Sequence, residues 1–97
     1  MYESRGLVYF DMKNYIMALE DFDKAIEIQP EYPETYFHRG QTKNFLKKYD
    51  DAISDFKDAL DKNSENKGGI FNGMGLSYKM KGEYDKALSV NYFLSSI

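Results

Sequence analysis

Ninety-seven residues make one small domain, long enough to bury about 60–65% of the surface its unfolded chain exposes. Aliphatic and aromatic residues make up 42% of the chain and charged residues 30%, the balance of a folded globular protein rather than a disordered tail. Without cysteine there is no disulfide framework, thiolate zinc site or cysteine nucleophile, and a net charge of −3 with acids and bases interspersed leaves no basic footprint for nucleic acid.

The chain opens on Met1-Tyr2-Glu3-Ser4-Arg5, which lacks the basic start and apolar core of a secretory signal. Its longest uncharged runs, 68–78 and 87–97, are each eleven residues, about half of the roughly 20 needed to cross a bilayer. No membrane insertion is expected, and the lack of cysteine fits the cytoplasm or another reducing compartment.

Helices are predicted near 1–12, 15–28, 33–46, 50–62, 68–81 and 84–96. Short breaks fall at Met12-Lys13-Asn14, Lys47-Lys48 and Lys81-Gly82-Glu83, which makes the units hairpins. In the second helix Tyr15, Ala18, Leu19, Phe22, Ala25, Ile26 and Ile28 recur mostly at steps of three and four, so they share one stripe. Asp21, Asp23, Lys24 and Glu27 are assigned to the opposite side. Gln29-Pro30 marks the helix end, and Pro33 stands in the first turn of the next helix, where its missing N–H costs nothing.

A shift of 34 residues brings Tyr2 onto Tyr36, Gly6 onto Gly40, Tyr15 onto Tyr49, Ala18 onto Ala52, Phe22 onto Phe56 and Ala25 onto Ala59. A further shift of 35 carries Tyr36 to Phe71, Gly40 to Gly75, Tyr49 to Tyr84 and Ala52 to Ala87. One unit is thus used three times, at about 1–32, 33–67 and 68–97. Glycine inside a helix costs about 0.5–1 kcal/mol relative to alanine. Its recurrence at 6, 40 and 75 predicts a close approach to the second helix, where Ala18, Ala52 or Ala87 faces it. A hairpin this thin cannot bury its own apolar face, so each must stack on the next as a solenoid with a concave side.

The residues Tyr2, Gly6, Tyr9, Ala18, Phe22, Ala25 and Pro30 resemble the tetratricopeptide repeat, whose period is 34. The second unit keeps Tyr36, Gly40, Ala52, Phe56 and Ala59, with Lys43 for the tyrosine and Ser64 for the proline. The third keeps Phe71, Gly75, Tyr78, Tyr84 and Ala87, then departs at Asn91 and Leu94, where Phe and Ala belong. The resemblance implies an all-α solenoid, a right-handed superhelix of three hairpins and about six helices, that binds other polypeptides and catalyses nothing. The chain reads as a single domain and as a piece of a longer array.

Chaperone-serving members of this family hold a peptide's terminal carboxylate with Lys and Asn from successive first helices. Here the matching places carry Glu3, Leu7, His38, Gly69 and Gly73, so that clamp is not expected. The resemblance implies instead a concave groove lined by Leu7, Phe10, Asp11, Phe37, His38, Gln41, Asn44, Phe45, Asn72, Leu76 and Met80. Phe10 and Phe45 are equally readable as packing between adjacent hairpins, and His38 as a half-exposed helix residue. A second reading makes the chain a stacking element within a larger assembly, with no peptide ligand of its own.

His38 is the only histidine, so neither a two-histidine metal site nor a Cys/His pair is available. Gly73-Met74-Gly75 has the spacing of a dinucleotide turn, but Tyr78 replaces the third glycine and no strand precedes it. Asp51, Asp55, Asp58 and Lys62 form a row read as solvated helix surface, or otherwise as a seat for a basic partner. No metal, cofactor or catalytic residue is assigned. In the tail, Tyr92 and Phe93 replace charged residues of the earlier units, beside Val90, Leu94 and Ile97. That predicts an apolar edge covered by a further helix, a partner subunit or, as a homodimer, a second copy.

Overall fold

A computed structural model describes the backbone of residues 1–95 and the side chains of residues 1–82. Five α-helices succeed one another: α1 (Tyr2–Asp11), α2 (Tyr15–Ile28), α3 (Pro33–Phe45), α4 (Tyr49–Asp61) and α5 (Lys67–Ser95). No strand occurs among the described residues. α1 and α2 form one hairpin and α3 and α4 the next, with α5 stacked on the second, as a helical-hairpin solenoid requires.

The corners inside the two hairpins are built alike. Lys13 and Lys47 each adopt a φ of 63°, the left-handed conformation that ends a helix. The amide of Asn14 then donates to the Tyr9 carbonyl at 2.8 Å, and that of Lys48 to the Lys43 carbonyl at 2.8 Å. These bonds satisfy carbonyls that the end of a helix otherwise leaves orphaned. Asn63, with φ 62°, repeats the device after α4. Asn14 also caps α2, its side-chain oxygen accepting from the Met17 amide at 3.3 Å.

Packing runs through Phe22 and Phe56, both fully buried with Ala18, Ala52 and Ala59. The glycines do allow close approach, but to a ring rather than to alanine. A Cβ on Gly6 would lie 2.7 Å from Phe22 Cε1, and one on Gly40 would lie 2.9 Å from Phe56 Cε1. Gly73 of α5 presses on the other side of Phe56, where a Cβ would come within 2.5 Å of Cζ. One repeat earlier that place belongs to His38, whose ring stacks on Phe22 at 5.9 Å.

Each hairpin also carries a two-pronged ion pair that the periodicity assigned to solvent. Arg5 donates from Nε and Nη2 to both oxygens of Asp21, each at 2.8 Å. Arg39 does the same to Asp55 at 2.9 and 2.7 Å, and its Nη1 reaches Asp23 on the preceding hairpin at 2.9 Å. Lys43 Nζ adds a second cation 3.0 Å from Asp55. The Arg5 hydrogen bonds hold the buried Asp21 carboxyl below the usual carboxylate range. Asp55 is therefore no part of a solvated acidic row: it lies buried between cations while Asp51 faces solvent.

The expected break at Lys81-Gly82-Glu83 is absent, and α5 runs unbroken from Lys67 to Ser95. Gly82 occupies the register position of Lys13 and Lys47 without a positive φ. Among the described residues five helices stand where about six were expected. The sequence supplies a reason: where Arg39, Asp55 and Phe56 stand in the second unit, the third has Met74, Val90 and Asn91. A returning helix would lack both the ion pair and the ring that hold the first two hairpins shut.

Candidate peptide-binding groove

The face shared by α1, α3 and α5 carries the residues expected to line a groove, and the structure divides them. Phe37 is not on it: only 7% exposed, it packs against Phe56 with ring centroids 6.0 Å apart and belongs to the core. Its partner stands on α4 of the same hairpin, so reading the α3 stripe alone left it outward. Asn44 is buried too, its Nδ2 donating to the Gly73 carbonyl at 3.2 Å while its Oδ1 accepts from Ser77 Oγ at 2.6 Å. It ties α3 to α5 rather than projecting into open space.

His38 is half-buried between Phe22 and Phe37, with Nε2 3.7 Å from a Glu3 carboxylate oxygen. Burial pushes its pKa down, against the opposing pull of Glu3 and Glu34. Around it, Glu3 accepts from the buried Thr35 hydroxyl at 2.7 Å, fastening α1 to α3. His38 therefore serves the junction of the two hairpins as much as the surface.

Phe10 and Phe45 meet Tyr15 in an aromatic triad. Phe45 stacks on Tyr15 at 4.6 Å with planes 6° apart, and Phe10 stands edge-on to both at 5.5 Å. Phe45 packs between hairpins and stays 56% exposed. Leu7 and Gln41 are half-buried, and Asp11 and Asn72 are exposed.

Farther along, Asn44, Phe45, Leu76 and Met80 come together with Lys47 and Tyr49 around a pocket of about 250 Å³. Leu76 is 46% exposed and Met80 half-buried. Lys47 and Tyr49 were missed because they sit at a corner and at a helix start, off the first-helix stripe. The shift of 34 that maps Tyr15 of the triad onto Tyr49, and Lys13 onto Lys47, carried the signal.

The tail positions Val90, Tyr92, Phe93, Leu94 and Ile97 lie outside the residues whose side chains are described. No helix among the described residues is long and apolar enough to cross a membrane. Among them, too, no three His, Cys, Asp or Glu side chains gather as metal ligands would.

Stacked hairpins that present one helix each along a common face define an α-solenoid scaffold. Tetratricopeptide repeat models match residues 2–32 and 33–66, and the chain belongs to the tetratricopeptide repeat family. It is 32% identical over 56 residues to a human protein named mitochondrial import receptor subunit TOM70, covering 58% of this chain and 9% of that protein. It is 32% identical over 60 residues to human tetratricopeptide repeat protein 28, covering 62% of this chain and 2% of that one. A Dictyostelium discoideum STIP1 homolog is 29% identical over 86 residues, which is 89% of this chain and 15% of the relative. The chain thus spans a small part of the length of each.

Proposed function

We propose that the chain is a protein-interaction scaffold that holds an extended or helical polypeptide segment along the face of α1, α3 and α5, in the cytoplasm or another reducing compartment. The observation that carries this is the open apolar pocket between the second hairpin and α5, flanked by the exposed Phe45 and Leu76. Large apolar side chains beside hydrogen-bonding amides such as Gln41 and Asn72 suit anchors oriented by a few polar contacts. Likeness to a protein named as a receptor subunit supports the same reading.

A peptide array probed with the 97-residue chain tests it. Short segments should be selected, and changing Gln41→Glu together with Leu76→Glu should weaken them at least about tenfold while helical circular dichroism persists. Binding unaffected by that pair would remove the site from this face.

A stacking role within a larger assembly has one observation in its favour. Phe71 and Tyr78 are 58% and 47% exposed on α5, and a Cβ on Gly75 would meet nothing within 4 Å. The corresponding Tyr36 and Gly40 are buried by α4. An array that selects no segment at all would favour that role.

A further inference from the structure

The pocket beside Tyr49 occupies the same register as the aromatic triad one repeat earlier. Shifts of 34 and 35 residues take Phe10 to Asn44, Tyr15 to Tyr49 and Phe45 to Met80. At the first site three rings fill the space, with Phe45 flat on Tyr15 at 4.6 Å and Phe10 closing the edge. At the second, the tyrosine is kept and both phenylalanines are gone. Asn44 turns its amide to Gly73 and Ser77, and Met80 is a flexible thioether. What remains is the opening of about 250 Å³.

We infer that this opening is a subsite for one aromatic side chain of a bound segment, with a carboxylate next to it. The inference rests on the groove reading above and gives it a ligand chemistry. The volume is below the roughly 300–1,000 Å³ of small-molecule pockets and is suited to a single side chain. Tyr49 offers the ring that Tyr15 offers Phe45, so an entering ring takes the place of Phe45. Met80, Leu76 and Phe45 supply further apolar wall, and a thioether favours the edge of an aromatic ring.

The carboxylate follows from the charges at the rim. Lys47 is the one charged residue lining the opening, and it makes no ion pair among the described residues. The left-handed corner at φ 63° fixes where its side chain starts. Two other cations nearby are already engaged: Lys43 with Asp55 at 3.0 Å, and Lys81 with Asp50 at 2.6 Å. An acidic group beside the anchoring ring would complement Lys47 at the edge of an apolar wall, where screening by water is reduced.

N-acetylphenylalanine, which carries one ring and one carboxylate, is a minimal probe. Titrated into the chain and followed by NMR, it should shift the Met80 methyl and the Tyr49 ring signals saturably. N-acetylphenylalaninamide should bind about threefold more weakly, the scale of one exposed ion pair, and N-acetylalanine should not saturate. Lys47→Gln should reduce N-acetylphenylalanine to the level of the amide. Met80→Phe should restore the stacked pair that Phe45 makes with Tyr15, fill the opening and abolish the shifts at Tyr49 with helical circular dichroism intact. Should that variant unfold, Tyr49→Leu removes the stacking surface instead and should abolish the shifts at Met80. Absence of saturable shifts at the pocket, or shifts that survive these variants, overturns the inference, and equal binding of the amide overturns its carboxylate half. If array-selected segments still bind the groove while the probe fails, the subsite alone falls. If both fail, the groove reading falls with it.

Discussion

In the first two units a ring, a glycine and an ion pair close the hairpin; in the third, α5 runs straight past the corner. Phe22 meets Gly6 and Phe56 meets Gly40 at distances that no Cβ would tolerate. Arg5 grips Asp21, and Arg39 grips Asp55. The third unit keeps Phe71, Gly75, Tyr78 and a glycine at the corner, yet has Met74, Val90 and Asn91 in place of the arginine, the aspartate and the ring. A corner glycine permits a reversal, but only contacts across the hairpin stabilise it. Repeat identity along the chain is therefore not enough to make a hairpin; the matched pairs that face each other across it decide.

The comparison is most severely tested at Asp55. Asp55→Ala leaves the mostly buried Lys43 without a counter-charge and Arg39 with only the exposed Asp23, and a cost of about 3 kcal/mol is expected in urea unfolding. Asp21→Ala should cost less, because Arg5 is about half exposed and can turn to water. Equal losses would mean that burial does not set the strength of the two pairs.

Glycine substitutions contrast the closed and the open units directly. Gly40→Leu should cost about 1–3 kcal/mol or more, since even its Cβ meets the Phe56 ring at 2.9 Å. Gly75→Ala has open space around it and should stabilise α5 by about 0.5–1 kcal/mol. Destabilisation by Gly75→Ala would place a returning helix against α5, as in the first two hairpins.

The smallest expected effect lies at the junction between hairpins. Burial lowers the pKa of His38 below its ordinary 6.5, so the unfolded chain takes up the proton more readily than the folded one. That stability contribution is complete above about pH 6.5 and is lost as pH falls through the lowered folded value. Melting temperatures between pH 7 and 5 should fall more steeply for the natural chain than for His38→Gln. Identical slopes would mean that His38 is solvated in the folded state.

Much of the architecture was legible because helical periodicity and a 34-residue repeat are properties of the chain itself. Prolines, corner residues and apolar stripes mark where helices start and stop, and the recurrence of Gly and Phe marks where they touch. The residues read least well were those whose partners lie across a hairpin or in the next one. Arg5 and Asp21 look like solvated charges in a helical pattern, although the same shift of 34 that maps them onto Arg39 and Asp55 made the pairing findable. Phe37 looks outward until Phe56 is set against it.

The sequence by itself determined the helices, the repeat register and the membership of a solenoid family, because each is written in local spacing. Tertiary structure alone decided that Asp55 is buried, that Phe37 belongs to the core, and that Tyr49, Met80 and Lys47 frame an opening. Those outcomes depend on how side chains from three helices fill one volume. Filled by Phe10, Tyr15 and Phe45 that volume is taken up by three rings; with Asn44, Tyr49 and Met80 it is a pocket.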